Sequence, residues 1–521
     1  MISRKFLIPA IAGGTVAGIL IFARLAVLPG ISADEAWFGI EALDMRVHGL
    51  FSPYASNWYT STLYPWLISK VFAHFPPSVF ALRFAGAAQN TAAAALAVYF
   101  AGLFFGRAAA LAMSVFMVLP FYALFSRHAY EVCGLQNTLT VCALVSMLGA
   151  ARRGSVSLPA ALVFVLACYM GTLNHLMAVS VPLGLSVGFF AHMVERKDSG
   201  YGGLCALSWA ALFSCAAVVI IRKISVPAFY TMGASMESKC GFSPAAAQSL
   251  AFWMEHKTAI VSATLALPAV AAAVFWKWQE IFAARLSGLA VAFGSDTRLR
   301  GFVRYAALAG LLAFLWFHAT AFLGMLSGFN VFKYFFSLDA GFWAGAPLLI
   351  CAGLIAGWVF SGAWRVAADG GAPAEKRVMA VMLLGYFASF TLLRNTNIPR
   401  YYLIPFVMFA FGAAAFVPEH FARSGMKTRA FVLACFALSS GILLRELYSP
   451  RARPMIVFKS GWHKEDSQDQ TSNIAFFTRM RADGVCITSA STKIAQAAKL
   501  FYNMSPYPCR VRRAVDWDDV R

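Results

Sequence analysis

The 521-residue chain is 60% apolar and only 13% charged, with a mean hydropathy of +0.67. That is too little charge to cover a soluble protein of this length, so the solvent it is built for is lipid. The formal net charge is +20, yet Lys and Arg stand in short clusters between apolar runs rather than in a stripe. This argues against nucleic acid and fits anchoring at one membrane face.

An apolar run of about 20 residues crosses the hydrocarbon core of a bilayer, and the chain supplies about thirteen. The first, 6–28, is too long for a signal-peptide core and no small-residue cleavage site follows. It reads as a retained helix with Arg4 and Lys5 inside. A long outer segment, 29–81, contains stretches around 35–47 and 62–75 that read as amphipathic helices lying at the interface. Further spans are expected at 82–104, 108–126, 133–150, 157–173, 175–193, 203–221, 258–276, 303–325, 343–361, 377–393, 401–418 and 428–445.

The loops test this count. Arg107, then Arg152 and Arg153, then Arg196 and Lys197 mark successive cytoplasmic connections. Lys277, Arg285, Arg298 and Arg300 follow, then Arg365, Lys376 and Arg377, and finally Arg423, Lys427 and Arg429. Every second connection is basic, as the positive-inside rule demands, and a miscounted span would invert the pattern downstream. The expected fold is an all-α polytopic membrane protein, its transmembrane domain at 1–445 and its N-terminus cytoplasmic. The tail, 446–521, is then outside and reads as a small α/β segment, with a strand at VCITSA and another around CRVRR. Cys486 and Cys509 are its only cysteines, and an outside location favours a disulfide between them. The cysteines within spans, such as Cys142, Cys168, Cys215 and Cys435, read as small buried hydrophobes. Ala-rich spans without long luminal insertions fit a bacterial inner membrane, with the tail periplasmic.

Acidic residues are scarce, so their positions are informative. Asp34 and Glu35 follow the first span at the outer surface. Beside a low-dielectric boundary a carboxylate pKa rises, which suits a general base; equally, ISADEAW reads as a helix N-terminus with acids in its first turn. Glu131, after the third span, has His128 nearby and Arg127 four residues before it, a spacing that also allows an ordinary helix-face salt bridge. In RNTNIPRYYLIP, Arg394 and Arg400 stand at outer span ends, where basic residues are disfavoured. Guanidiniums there suit a lipid-linked phosphate, or else snorkel to headgroups. Lys333, in the aromatic segment SGFNVFKYFFSLDAGFW, carries the same pair of readings. His175 and His318 read as packing histidines.

In order, these features are one span, ADEAWFG, LYPWLISKVF, ALRFAGAAQN, PFYALFSRHAYEV and, much later, NIPRYYLIP. The set resembles the integral-membrane glycosyltransferases of the C superfamily, the group with protein O-mannosyltransferases and the lipid A aminoarabinose transferase. The resemblance covers about 1–450 and is strongest over 30–150. It implies a catalytic acid at Asp34 with Glu35 beside it, a second acid at Glu131, and Arg400 near the donor phosphate, with Tyr401, Arg394 and Lys333 around it. Trp37 and Phe38 stand where the family often has Tyr, and TSTLYPW replaces the Lys-Pro-Pro element of the aminoarabinose transferases. The second departure argues against that sugar.

The implied reaction is inverting transfer of a sugar from a polyprenyl phosphate to a lipid, glycan or protein acceptor at the periplasmic face. Glu131 and His128 would orient the acceptor or hold a divalent ion, Mg or Mn. The competing readings are a polysaccharide ligase or polymerase using a diphosphate-linked donor, and a transporter or flippase for a lipid-linked substrate. A transporter needs polar groups at mid-membrane depth, whereas the charges here gather at one surface.

Overall fold

The computed structural model describes residues 4–26, 28, 35, 38, 39, 42, 45, 60, 63–196, 199–225, 244–336, 341–392, 399–448, 486–488 and 514–516. The bundle opens with α1 (Arg4–Phe22). Glu35, Phe38, Gly39, Ala42 and Met45 are helical and buried, at the spacing of one helix face. Then come α2 (Leu63–His74), α3 (Val79–Phe105), α4 (Arg107–Met117), α5 (Pro120–Phe125), the single turn α6 (Glu131–Gly134), α7 (Gln136–Arg153) and α8 (Leu158–Asn174). They are followed by α9 (Ser180–Arg196), α10 (Gly202–Ser225), α11 (Pro244–Ser295), α12 (Thr297–Leu326), α13 (Phe329–Phe336) and α14 (Gly341–Ala368). The bundle closes with α15 (Ala374–Phe390), α16 (Leu403–Arg423) and α17 (Met426–Tyr448).

Each of the thirteen expected spans falls on a described helix, and the protein is an all-α polytopic membrane protein. Eight helical segments among the described residues are long and apolar enough to cross a bilayer, within α1, α3, α9, α10, α12, α14, α16 and α17. Others are shorter: α8 has 17 residues and α4 has 11, because the expected third span breaks before Pro120 and resumes as α5. Proline at the first helical turn lacks only an N–H that has no intrahelical partner there, so α5 restarts without loss.

One expectation is corrected. The sequence placed a span at 258–276 between an outer and an inner loop, but α11 runs unbroken for 52 residues. At 1.5 Å per residue it is about 78 Å long, far more than the roughly 30 Å hydrocarbon core. It takes in residues 244–257 of the expected outer segment and 277–295 of the inner one.

The helix α16 is central: 89% of its apolar window is buried, against 17% for α12. Helices without a hydrophobic drive to associate in lipid rely on close backbone approach. The α9–α15 crossing is such a case, since a Cβ on Gly188 would meet the Val381 carbonyl and the Gly385 Cα.

In the tail, β1 (Cys486–Thr488) pairs in parallel with β2 (Ala514–Asp516), Ile487 opposite Val515. Parallel pairing of consecutive strands needs a crossover connection. The described part of the second strand begins at Ala514, immediately after CRVRR.

Candidate active site

The site is built on one face of α3. Ser78 caps this helix, its side chain accepting from the Ala81 N–H at 3.1 Å. Arg83 in its first turns is wholly buried and donates from Nε to Glu35 Oε1 at 2.9 Å and from Nη2 to Glu35 Oε2 at 2.8 Å. Its Nη1 donates to the Leu25 carbonyl at 3.1 Å. Asn90, further along the same face, donates from Nδ2 to the carbonyls of Ser126 and Cys133. These bracket the turn that carries Arg127, His128 and Tyr130. Between them, Tyr64 of α2 lies against Gly86 of α3 and Gly134 of α6, and a Cβ on either glycine would run into its ring or hydroxyl.

Glu35 is the hub. It is fully buried, and beyond Arg83 its Oε1 accepts from the Ala129 N–H at 2.8 Å, while His128 Nδ1 stands 3.2 Å from Oε2. Burial alone would raise its pKa, but the charges of Arg83 and His128 and their hydrogen bonds outweigh it, holding the carboxyl well below the usual carboxylate range. The rise expected of a desolvated general base is therefore reversed at Glu35. Both of its oxygens are committed, and its geometry is that of a tether joining the first long segment to α3 and to the His128 turn.

From His128 a chain of rings continues to the cation. The His128 and Tyr130 rings stack at 4.8 Å and 23°. The Arg400 guanidinium lies 4.5 Å from the Tyr130 ring centre and 5.5 Å from that of Tyr401. Arg400 and Tyr401 belong to a short 3-10 turn, Pro399–Tyr402, that leads into α16. Tyr401 rests on His175 at 5.1 Å, and the His175 backbone forms an antiparallel bridge with Thr60. Tyr402 Oη lies 3.3 Å from His318 Nδ1 within the bundle.

The structure thus brings together Glu35, His128, Arg400 and Tyr401. Asp34, Arg394 and Cys509 lie outside the described residues; for Glu131, Lys333 and Cys486 only the backbone is described, opening α6, within α13 and opening β1. Arg127 donates from Nε to the Ile21 carbonyl at 3.0 Å; its expected pairing with Glu131 falls on a side chain outside the described residues. Among the described residues no three His, Cys, Asp or Glu side chains converge as metal ligands. Glu35 has no oxygen to spare for an ion, so a divalent cation would depend on Asp34 and Glu131. Sequence reasoning passed over Arg83, Tyr130 and Asn90. Arg83 carried a usable signal, an arginine at a span end that the charge pattern assigns to the outside.

This fold has solved counterparts. The Archaeoglobus fulgidus oligosaccharyltransferase, tethered to an acceptor peptide containing the NVT sequon, aligns with a TM-score of 0.51 at 14% identity, over 99% of this chain and 61% of that one. The same protein in complex with zinc and sulfate gives 0.50 at 16% identity, over 98% and 58%. ArnT from Cupriavidus metallidurans bound to undecaprenyl phosphate aligns over 75% of this chain and 78% of that one, at 16% identity and a TM-score of 0.33. No family model matches the sequence, and no curated relative does. The chain shares the fold of the Archaeoglobus fulgidus oligosaccharyltransferase. It spans about three fifths of the length of the oligosaccharyltransferase chain.

Proposed function

We propose that this protein is an inverting glycosyltransferase that moves a sugar from a polyprenyl-phosphate donor to an acceptor hydroxyl at the periplasmic face of a bacterial inner membrane. The observation that carries the reading is the tether at Glu35. Of the two adjacent acids in the first outer segment, Glu35 is consumed by Arg83, His128 and the Ala129 N–H. That leaves Asp34 as the acid of the pair to work on substrate, joined to a segment fixed beside the Tyr130–Arg400 pair.

In this reaction Asp34 takes the proton of the acceptor hydroxyl as its oxygen attacks the anomeric carbon. The bond from that carbon to the phosphate oxygen breaks on the opposite face, giving inversion. The phosphate leaves with the bonding pair, and a fixed cation offsets its developing charge. Arg400 supplies that cation, oriented by the Tyr130 and Tyr401 rings, with Tyr401, Arg394 and Lys333 around the same group. Glu131 orients the acceptor. The C-terminal segment forms a separate periplasmic unit in which Cys486 and Cys509 pair.

The test is transfer in proteoliposomes, with radiolabelled polyprenyl-phosphate sugars as donors and a bacterial envelope extract as acceptor, in the presence and absence of chelator. Wild type is expected to move label and Asp34→Asn to leave it on the lipid while inserting normally. Undiminished transfer by Asp34→Asn would remove the catalytic assignment. Label moving only from a diphosphate-linked oligosaccharide would replace the donor with the one a ligase uses.

A further inference from the structure

Arg127 is fully buried at the end of the bundle where α1, α17 and the turn after α5 meet. One of its five N–H groups is used, Nε donating to Ile21 O at 3.0 Å, where α1 ends. Among the described residues, neither Nη1 nor Nη2, both enclosed, meets an acceptor. Arg83 and Arg24 lie close enough that, after burial, they are the next causes pushing the Arg127 pKa down to about 9. Arg24 spans from the end of α1 to the Leu447 carbonyl at the end of α17, with Nη1 3.4 Å from it. The carboxylate next to this group, Glu35, is committed to Arg83, His128 and the Ala129 N–H.

An enclosed guanidinium whose terminal nitrogens meet no acceptor among the described residues is a costly arrangement, unless a ligand completes it. A planar fork with two unused edges matches a tetrahedral oxyanion, which accepts from both terminal nitrogens at once. We propose that Arg127 forms an anion site for a phosphate group, distinct from the Tyr130–Arg400 site. The phosphate belongs either to an anionic lipid headgroup or to a small soluble molecule. Bound there, it ties the ends of α1 and α17 to the turn that carries His128.

The experiment uses the full chain in phosphatidylcholine nanodiscs and reads thermal unfolding, so it is independent of any transferase activity. Sodium phosphate is titrated against sodium chloride at matched ionic strength, and a second arm adds phosphatidylglycerol to the disc. Wild type is expected to gain about 2 °C in Tm with phosphate, with phosphatidylglycerol, or with both. A rise confined to the lipid arm assigns the headgroup, and a rise with inorganic phosphate assigns a small molecule. Arg127→Met is expected to lose the response while matching or exceeding wild-type stability in phosphatidylcholine alone, because the buried charge is gone. Arg127→Lys, which keeps the charge but not the fork, is expected to respond more weakly than wild type. Indifference of wild type to both additions, or an equal response from Arg127→Met, overturns the proposal.

Discussion

Glu35 and Arg83 meet through two parallel hydrogen bonds, 2.9 and 2.8 Å, with both side chains wholly buried. Removing one partner of such a pair leaves the other as an uncompensated buried charge, at a cost of about 3 kcal/mol or more. Glu35→Gln is expected to lower the stability of the purified protein by that amount. Glu35→Gln combined with Arg83→Met is expected to recover part of it, because the stranded guanidinium is gone. Thermal unfolding of both variants in one detergent checks this; a double variant no better than the single would show that Arg83 serves chiefly through its bond to the Leu25 carbonyl.

The same pair predicts a response to acid. The folded-state pKa of Glu35 is depressed, so the stabilisation is fully present above the unfolded value of about 4.3. It declines as pH falls below that value toward the folded one. Wild type is therefore expected to lose stability from about pH 4.5 downward more steeply than Glu35→Gln. Parallel curves for the two proteins would contradict the assignment of the ionised form.

Asn90 is expected to matter through the turn it holds. Asn90→Leu keeps the branched outline of the side chain but strands the Ser126 and Cys133 carbonyls, a loss of roughly 2 kcal/mol. The distinguishing readout is hydrogen exchange, which is expected to accelerate at residues 127–134 ahead of the rest of α3 and α7. Uniform acceleration would mean that Asn90 supports the whole bundle and not the turn in particular.

Gly134→Ala is expected to push Tyr64 out of its notch, costing about 1–3 kcal/mol as an overpacked site. Trimming the ring in Gly134→Ala with Tyr64→Leu is expected to restore part of that stability. If the trimmed protein gains nothing, the contact between α2 and α6 is looser than the notch implies.

At the cation, Arg400→Lys keeps the charge and loses the flat face that lies over Tyr130. A cation–ring contact of this kind is worth about 1 kcal/mol. In the transfer assay, KM for the labelled donor is expected to rise about fivefold in Arg400→Lys and also in Tyr130→Leu. An unchanged KM in both variants would place the donor phosphate elsewhere.

The long helices were legible because hydropathy alone marks a span: 303–325 was read where Thr297–Leu326 is helical, and 428–445 where Met426–Tyr448 is. The length of α11 was hidden because its charged half, with Lys277 and Arg285, reads as a loop once the membrane is assumed to end the helix. At the candidate site the residues were legible but not their partners. Asp34 and Glu35 are chemically alike neighbours, and no local signal foretold that Glu35 would meet Arg83, far along the chain. Arg83 itself was absorbed into the apolar run that starts at Leu82. His175, read as a packing residue, does pack, but against Tyr401 and through its backbone to Thr60, pairings that no local period encodes.

Arg83, Gly86 and Asn90 follow the i, i+3, i+7 spacing, so they fall on one stripe of α3. The first grips Glu35, the second admits Tyr64, and the third brackets the His128 turn. A rotation of α3 by a single residue, about 100°, would swing all three away together. The three attachments therefore behave as one key in one lock, engaged or released as a unit. Half-assembled forms of this face have no partial set of bonds to rest on, and single substitutions along the stripe are expected to couple strongly rather than add.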